Sequence, residues 1–355
     1  MQTDLLEEAR RQAQICNACR YCEGYCAVFP ALQQERAFSD GTLTQLANLC
    51  HNCRGCYYAC QYTAPHEFDV NIPKALAEVR QDSWEAFAWP GNIASLFQKS
   101  GVLIALATIA GFAILFLVIS TFRPSGGQGF YAVLSHSAMV TIFLPAFLYP
   151  IVSLWISLRR YWHETGGSRV TLSNLADAFG SAARLKNLSG GHGDGCNFED
   201  EDRYSNARRF AHQAVMYGFL LCFASTCSGT ILYYFLDSPG PYPFWSVPKL
   251  LGVPGGLLIL AGGAELIRLK LKADKGLGAA EVWGGEMGFV LLLLFVALTG
   301  LALYLLGGTV ALPLLLAVHL GSVLAFFLLT PYTKMAHGFY RLAALVRDAQ
   351  RKGAS

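Results

Sequence analysis

The chain has 355 residues, of which 54% are hydrophobic and only 14% are charged, and its formal net charge is +3. An ordinary globular domain carries about 25% charged residues, so the composition argues against a wholly soluble protein. The small net charge and the lack of basic runs interleaved with aromatic residues argue against nucleic-acid binding. Residues 1–90 are mixed and polar, whereas most of 101–331 is apolar, which predicts a small soluble head followed by a membrane domain.

The first residues form an acidic, amphipathic stretch in which Asp4 and Glu7 resemble the capping box of a short helix. This stretch lacks a basic segment followed by an apolar core. We therefore expect no cleavable signal peptide.

Two cysteine runs occupy the head, and both read C-x2-C-x2-C-x3-C with an arginine after the second cysteine. The runs are Cys16, Cys19, Cys22, Cys26 and Cys50, Cys53, Cys56, Cys60. This is the spacing of bacterial two-cluster ferredoxins, in which three thiolates of one run and the fourth thiolate of the other hold a [4Fe-4S] cluster. It predicts one cluster on Cys16, Cys19, Cys22 and Cys60. It predicts a second cluster on Cys50, Cys53, Cys56 and Cys26.

A zinc site is the main alternative, but it needs only C-x2-C pairs and would leave cysteines over. A disulfide framework does not require this spacing. Neither run is followed at once by proline, because Ala27 and Gln61 stand there. The cysteines are still expected to bind, but this departure argues against the standard ferredoxin β-fold. Three further cysteines are expected to be dispensable for both clusters: Cys196, Cys222 and Cys227.

Six segments are apolar and long enough to cross a bilayer. We predict them at roughly 101–122, 131–157, 212–236, 249–270, 287–306 and 310–331. Pro145 and Pro150 interrupt the second segment and are expected to kink it.

Basic residues fix the predicted orientation. They are concentrated in the loop 159–211, after the fourth span and after the sixth, whereas the opposite connections hold little beyond Arg123 and Lys249. By the positive-inside rule both termini and the head face the cytoplasm of a bacterial inner membrane. Thiolate clusters require a reducing compartment, which agrees with that orientation.

The loop 159–211 is the one sizeable insertion on this side. Its stretch 190–196 is rich in glycine but lacks the G-x-x-x-x-G-K-[ST] spacing of a phosphate-binding loop. We therefore expect a loop that contacts the head or a partner.

Four histidines lie in or beside the spans: His136, His212, His319 and His337. Ionisable residues inside spans are rare and usually functional. Depth along the helices suggests two bis-histidine haem b sites, His136 with His319 toward the outside and His212 with His337 toward the inside. A single haem that uses only two of the four remains an alternative. His319 is the strongest candidate because it is deepest in an apolar span.

The remaining ionisable groups receive simpler interpretations. His319 and His337 would share one helix face five turns apart unless Pro331 bends the helix between them. Glu265 lies near the inner end of the fourth span. Four further histidines are interpreted as structural or surface residues: His51, His66, His163 and His192.

The chain resembles one family over nearly its whole length. The resemblance rests on both cysteine runs and on the stretches 65–68 (PHEF), 195–197 (GCN), 208–212 (RRFAH), 319–321 (HLG) and 331–338 (PYTKMAHG). The family is tricarballylate-utilisation protein B, also described as citrate-utilisation protein B. The final stretch is also similar to the last helix of the nitrate reductase gamma subunit, a dihaem cytochrome b.

This resemblance implies a two-gene system. A soluble FAD-dependent dehydrogenase oxidises tricarballylate or a related tricarboxylate, and the membrane protein reoxidises its flavin. We therefore expect an all-α protein with a small helical ferredoxin-like head at 1–90, a cytochrome b-type bundle at 91–340 and a cytoplasmic tail at 341–355. Electrons would pass through two [4Fe-4S] clusters and haem b to a membrane quinone. No catalytic residue is assigned.

Three alternatives use the same features. The electron flow could run in reverse, from quinol to an anaerobic reductase. A membrane redox sensor is a second alternative, but a sensor needs only one responsive centre. A transporter would show a polar site at broken helices near the membrane midplane, and the spans are nearly free of such groups.

Overall fold

The computed structural model describes residues 2–122, 131, 134–190, 193–197 and 203–353. These residues are mostly helical and contain no β-strand, apart from one isolated bridge between Cys196 and Ser205. The predicted all-α fold is confirmed. His192 and Arg123, which the sequence interpretation used, lie outside the described residues.

Five short helices build the head: α1 (Gln2–Cys19), α2 (Val28–Gln33), α3 (Asp40–Leu49), α4 (Gly55–Tyr58) and α5 (Ile72–Phe87). Side chains that favour helix starts define their ends. Ser39 accepts a hydrogen bond from the Thr42 amide before α3, and Asn71 accepts one from the Lys74 amide at α5. The faces of α1, α3 and α5 that meet are apolar, so the cysteine-bearing loops are held by a small core.

Six long helices follow, and they confirm the predicted spans: α6 (Ile93–Phe122), α7 (His136–Glu164), α9 (Ala207–Phe235), α10 (Val247–Leu271), α11 (Trp283–Leu306) and α12 (Leu312–Leu329). Each is long and apolar enough to cross a membrane. The short helix α8 (Leu172–Ala183) lies in the loop between α7 and α9. The chain is therefore a multi-pass membrane protein with a polar head.

Glycines allow some of these helices to pack closely. A Cβ atom on Gly101 of α6 would come within 2.7 Å of Gly285 Cα on α11. A Cβ atom on Gly218 of α9 would come within 2.7 Å of the Gly255 carbonyl oxygen on α10. Small residues at such contacts are typical of helix packing in membranes.

The predicted bend at Pro331 is a break. Helix α12 ends at Leu329, a 3-10 turn spans Thr330–Tyr332, and α13 (Ala336–Lys352) begins after it. Proline lacks an amide hydrogen and crowds the preceding turn, so the helix ends here. Helices α12 and α13 are thus separate elements; α12 carries His319 and α13 carries His337.

Helix α13 attaches the head to the membrane domain. Its Tyr340 and Ala344 belong to the same buried core as α3 and α5. The Gln45 side chain donates to the Ala344 carbonyl (2.8 Å) and accepts from the Tyr161 hydroxyl of α7 (2.5 Å). Residues 341–352, predicted as part of a tail, are therefore built into the head.

Candidate redox centre

The first group of cysteines consists of Cys16, Cys19, Cys22 and Cys60, called the outer quartet here because Cys19 is exposed. Cys16 and Cys19 lie in the last turn of α1, and Cys60 follows α4. Burial, together with the nearby Cys60, Cys22 and Cys19, raises the pKa of the Cys16 thiol to about 12. The structure therefore brings together the four side chains that the crossed ligand pattern assigned to one cluster.

The second group consists of Cys26, Cys50, Cys53 and Cys56, called the inner quartet. All four line one pocket that is partly open to solvent. Burial raises the pKa of the Cys26 thiol well above its usual range, and Cys53 and Cys50 add to that effect. Cys26 thus sits with the other run, as the crossed pattern requires. Cys22 acts electrostatically on Cys56, so the two quartets adjoin.

The backbone around the sulfur atoms repeats along with the sequence. Arg20 and Arg54, which occupy equivalent positions, both adopt a left-handed conformation, with φ of 58° and 66°. The Asn52 amide donates to Cys50 Sγ (3.4 Å), and the Tyr62 amide donates to Cys60 Sγ (3.3 Å). Amide groups that point at sulfur stabilise a thiolate, so these loops are suited to anionic, metal-bound cysteines.

The spacing of the ligands bears on the zinc alternative. Within the described part of the chain, no three His, Cys, Asp or Glu side chains converge closely enough to hold a single metal ion. A tetrahedral zinc site places each thiolate about 2.3 Å from the ion, so its sulfurs lie within about 4 Å of one another. A four-iron cube sits between its ligands and keeps them farther apart. Two complete sets of four cysteines match the ligand count of two cubes.

Arginines from four parts of the chain surround the inner quartet. Arg80 and Arg341 both donate to the Cys50 carbonyl (2.8 and 3.0 Å), and Arg208 donates to the Asn52 carbonyl (2.7 Å). Arg54 is buried, and its Nε donates to Asn52 Oδ1. Removing several guanidinium groups from water costs free energy unless a negative charge nearby compensates them. A thiolate-bound cluster supplies that charge, so this arginine ring fits an anionic cofactor.

The inner histidine pair comes together in the structure. His212 of α9 and His337 of α13 have ring centroids 5.8 Å apart. His337 Nδ1 donates to the Lys334 carbonyl, which leaves Nε2 as the available ligand atom. Burial lowers the pKa of His337 well below its usual range, and Arg341 adds to the shift, so the imidazole is neutral. The Nδ1 atom of His212 is buried without a hydrogen-bond partner among the described residues.

This arrangement suits axial ligation of haem iron. Two imidazoles on opposite sides of a metal, each about 2 Å from it, place their ring centroids about 6 Å apart. The pair fits that separation, and the unpartnered polar atom of His212 is what a ligand-free imidazole would leave in the interior.

The outer pair does not come together. His136 stacks on Tyr233 of α9 (3.9 Å between centroids), and its Nε2 bonds the Tyr234 hydroxyl (3.0 Å). His319 is turned toward α11, where its Nδ1 bonds Thr299 Oγ1 (3.0 Å). Depth along the helices could not predict these separate partners, because it does not determine which neighbouring helix each ring faces. A Cβ atom on Gly300 would lie 3.1 Å from His319 Cε1, so glycine leaves room beside that ring.

Other residues that the sequence singled out have structural roles. His51 bonds the Leu49 carbonyl through Nδ1 (2.8 Å) and lines the inner cavity. His66 packs against Tyr62 and Phe68, and His163 is exposed. Glu265 forms an ion pair with Arg268 (2.7 Å).

Sequence reasoning missed two features. Glu286, in the first turn of α11, forms ion pairs with both Lys270 and Lys334. It was overlooked because the predicted span began one residue later. Cys196 belongs to the same buried cluster as Cys53 of the inner quartet. A single cysteine has no spacing that could reveal such a contact.

Comparisons with known proteins agree with this division. Residues 9–86 match the family described as the Citrate utilization protein B Fer4-like domain, and residues 94–355 match the family described as Citrate utilization protein B. The chain is 43% identical over 351 residues to Citrate utilization protein B of Escherichia coli, covering 97% of this chain and 92% of that protein.

No solved structure matches the chain. The Fer4-like match and the eight clustered cysteines identify the head as an iron–sulfur domain. The two matches together cover both the head and the membrane domain, and the chain therefore belongs to the Citrate utilization protein B family.

Proposed function

We propose that this protein is a membrane electron-transfer subunit, which reoxidises the flavin of a soluble dehydrogenase and passes the electrons to a membrane quinone. One observation carries the proposal: the outer quartet, the inner quartet and the His212–His337 pair adjoin in that order. The series runs from an exposed cysteine of the head to the first turns of α9 and α13, whose Arg208 and Arg341 bond the loop of the inner quartet. Groups placed in such a series suit stepwise transport of charge rather than chemistry at one site.

In this proposal each quartet holds one [4Fe-4S] cluster, and His212 with His337 holds a haem b. Such groups take up and release single electrons when bound. The cysteines lose their protons on binding iron, and the arginine ring offsets the charge that results. The amides of Asn52 and Tyr62 keep the sulfur atoms of Cys50 and Cys60 oriented.

The number of haems follows from the histidines. The inner pair has the separation that one haem needs, whereas His136 and His319 each have other partners. We therefore propose one haem at the inner pair. A second haem on His136 and His319 stays a prediction, and it requires both rings to turn from their present partners.

The positive-inside rule supports a cytoplasmic head in a bacterial inner membrane. Asn71 donates to the Gly276 carbonyl in the connection between α10 and α11, which follows the basic end of α10. Arg160, at the basic end of α7, donates to the Phe87 carbonyl. The head thus rests on the end of the bundle where basic residues collect, and we propose that both termini are cytoplasmic.

The partner would dock beside the outer quartet. Cys19 is exposed, and the adjacent loop carries Tyr21 with 70% of its surface exposed. The name of the Escherichia coli relative supports a tricarboxylate as the fuel of the system. Dehydrogenation of a substrate such as tricarballylate would supply electrons in pairs to the partner's flavin, and this chain would draw them off.

The test is reconstitution. Purified protein is first assayed for iron, acid-labile sulfide and pyridine haemochrome, with about eight irons expected for two cubes. It is then mixed with the reduced partner flavoprotein and a quinone under anaerobic conditions. We expect cluster reduction in the absence of quinone and quinone reduction in its presence.

Two results would overturn the proposal. Stoichiometric zinc without iron or sulfide would show that the protein binds no iron–sulfur cluster. Clusters reduced by quinol but not by the reduced flavoprotein would favour the quinol-oxidising alternative.

A Tyr21→Ser variant with normal iron content should accept electrons from the flavoprotein more slowly, while its reduction by dithionite stays unchanged.

A further inference from the structure

The loop between α8 and α9 is pinned onto the inner quartet. Its Asn197 amide donates to the Cys53 carbonyl (3.0 Å), and Cys196 pairs with Ser205 in the isolated bridge. Gly195 beside them has a φ of 107°, and a Cβ atom there would lie 2.1 Å from the Ser205 carbonyl oxygen. Only glycine fits this turn, so residues 193–197 follow a closely defined path beside Cys53.

This loop places the side chain of Cys196 against the quartet. The residue is 2% exposed and belongs to the same small buried cluster as Cys53 and Leu188. Its Sγ lies 3.3 Å from the Leu188 carbonyl. A fifth buried cysteine therefore packs beside a quartet that already supplies four ligands.

We propose that Cys196 is a positioning residue for the inner cluster: its thiol donates a hydrogen bond to Cys53 Sγ and raises the cluster's reduction potential without binding iron. The inference rests on the proposed function, because it assumes a cluster on the inner quartet. Four cysteines complete the ligand set of a cube, so Cys196 would influence the cluster through a hydrogen bond to a ligand and not by binding iron.

The direction of the bond follows from charge. The Cys196 thiol has one proton; in this structure it donates to the Leu188 carbonyl (3.3 Å), and Cys53 Sγ in the same buried cluster is the competing acceptor in the proposal. Once Cys53 binds iron it is a thiolate, and an ionised acceptor makes the stronger bond. Reduction adds an electron to the cluster and its sulfurs, so a donor aimed at Cys53 favours the reduced state. Since a thiol is a weak donor, we expect an effect of about tenfold on the reduction equilibrium, or about 59 mV for a one-electron couple.

The first experiment is a redox titration followed by electron paramagnetic resonance on the full-length protein. In Cys196→Ala one cluster should become harder to reduce by about 59 mV, while the other keeps its potential and the iron content is unchanged. Cys196→Ser keeps a donor and should fall between the wild type and Cys196→Ala. Cys227→Ala, exposed on α9, is the matched control and should shift neither cluster.

Each outcome separates the inference from the function it rests on. Wild-type protein without iron contradicts the proposed function. Iron-loaded Cys196→Ala and Cys196→Ser with unshifted potentials contradict only the role of Cys196. Loss of about half the iron in both variants would make Cys196 a ligand or a structural requirement, and the inference would again be wrong.

A second experiment needs no cluster. Two thiols packed in one buried cluster should form a disulfide when chelated, iron-free protein is treated with diamide, which takes up the two electrons and two protons released. Peptide mapping should find Cys53 joined to Cys196, and no such peptide in Cys196→Ser. Its absence from the wild type would contradict the contact itself.

Discussion

At the scale of single residues, the crossed membership of Cys26 and Cys60 is the sharpest feature of the head. Each side chain lies with three cysteines of the other run. We predict that Cys26→Ser weakens the inner cluster and Cys60→Ser the outer one. Electron paramagnetic resonance together with iron analysis would show about half the iron lost in each variant, with different remaining signals.

The control for both variants is Cys227→Ser, which should keep all of its iron. Loss of the same cluster in Cys26→Ser and Cys60→Ser would show that the ligands are not crossed. It would also mean that each run closes its own site.

The inner histidines make a second prediction at this scale. His337→Ala and His212→Ala should each remove the low-spin bis-histidine spectrum of the proposed haem, because one imidazole alone leaves an axial position empty. His163→Ala, which changes an exposed histidine, is the control. Unaltered optical spectra in both variants would contradict ligation by this pair.

His319→Ala measures whether a second haem exists. With one haem per chain, the variant keeps its haem content. With two, it loses one of them. The structure and the depth argument give different weight to this residue, and a single pyridine haemochrome assay decides between them.

At the scale of elements, the contact between α6 and α11 depends on glycine. In Gly101→Ala the new methyl group would lie 2.7 Å from Gly285 Cα and 3.1 Å from the Gly284 carbonyl oxygen. Overpacking of this kind costs about 1–3 kcal/mol, so the thermal unfolding midpoint in detergent should fall. Gly111→Ala, on the same helix with no atom within 4 Å, should be neutral or stabilising by up to about 1 kcal/mol.

Equal midpoints for the two alanine variants would mean that α6 and α11 have room to separate. The close packing would then not be a requirement of the bundle.

Glu286 joins three elements. It links Lys270 at the end of α10, Lys334 before α13 and its own helix α11. Glu286→Gln would leave two partly buried cations without their counter-charge, and we expect a loss of about 2 kcal/mol in the free energy of unfolding. Glu265→Gln breaks the more exposed pair with Arg268 and should cost at most about 1 kcal/mol.

Thermal unfolding of the two variants in the same detergent makes the comparison. If Glu286→Gln were as stable as Glu265→Gln, the three-element link would contribute little to stability.

At the scale of the whole molecule, the sequence predicted what periodicity and spacing encode. The six spans, the all-α class and the family follow from long apolar runs and from motifs. The membership of the quartets could be proposed because cluster chemistry dictates the spacing of the cysteines. These features depend on residues that are close in the sequence or that carry a known pattern.

Contacts between distant residues could not be predicted. Arg80, Arg208 and Arg341 are separated by most of the chain, yet they meet at two carbonyl groups of one loop. The orientation of His136 and His319 depends on rotation about the helix axes, and depth does not determine rotation. Cys196 reaches Cys53 only because a glycine turn directs its loop.

The placement of α13 has a consequence for biosynthesis. The helix that completes the core of the head, through Tyr340 and Ala344, is made after the six described spans. Arg341, which holds the Cys50 carbonyl, arrives with it. The inner quartet therefore cannot reach its final form before α13 has been made. Iron loading of that site would follow insertion of α12, so a product truncated before α13 would carry an unfinished head.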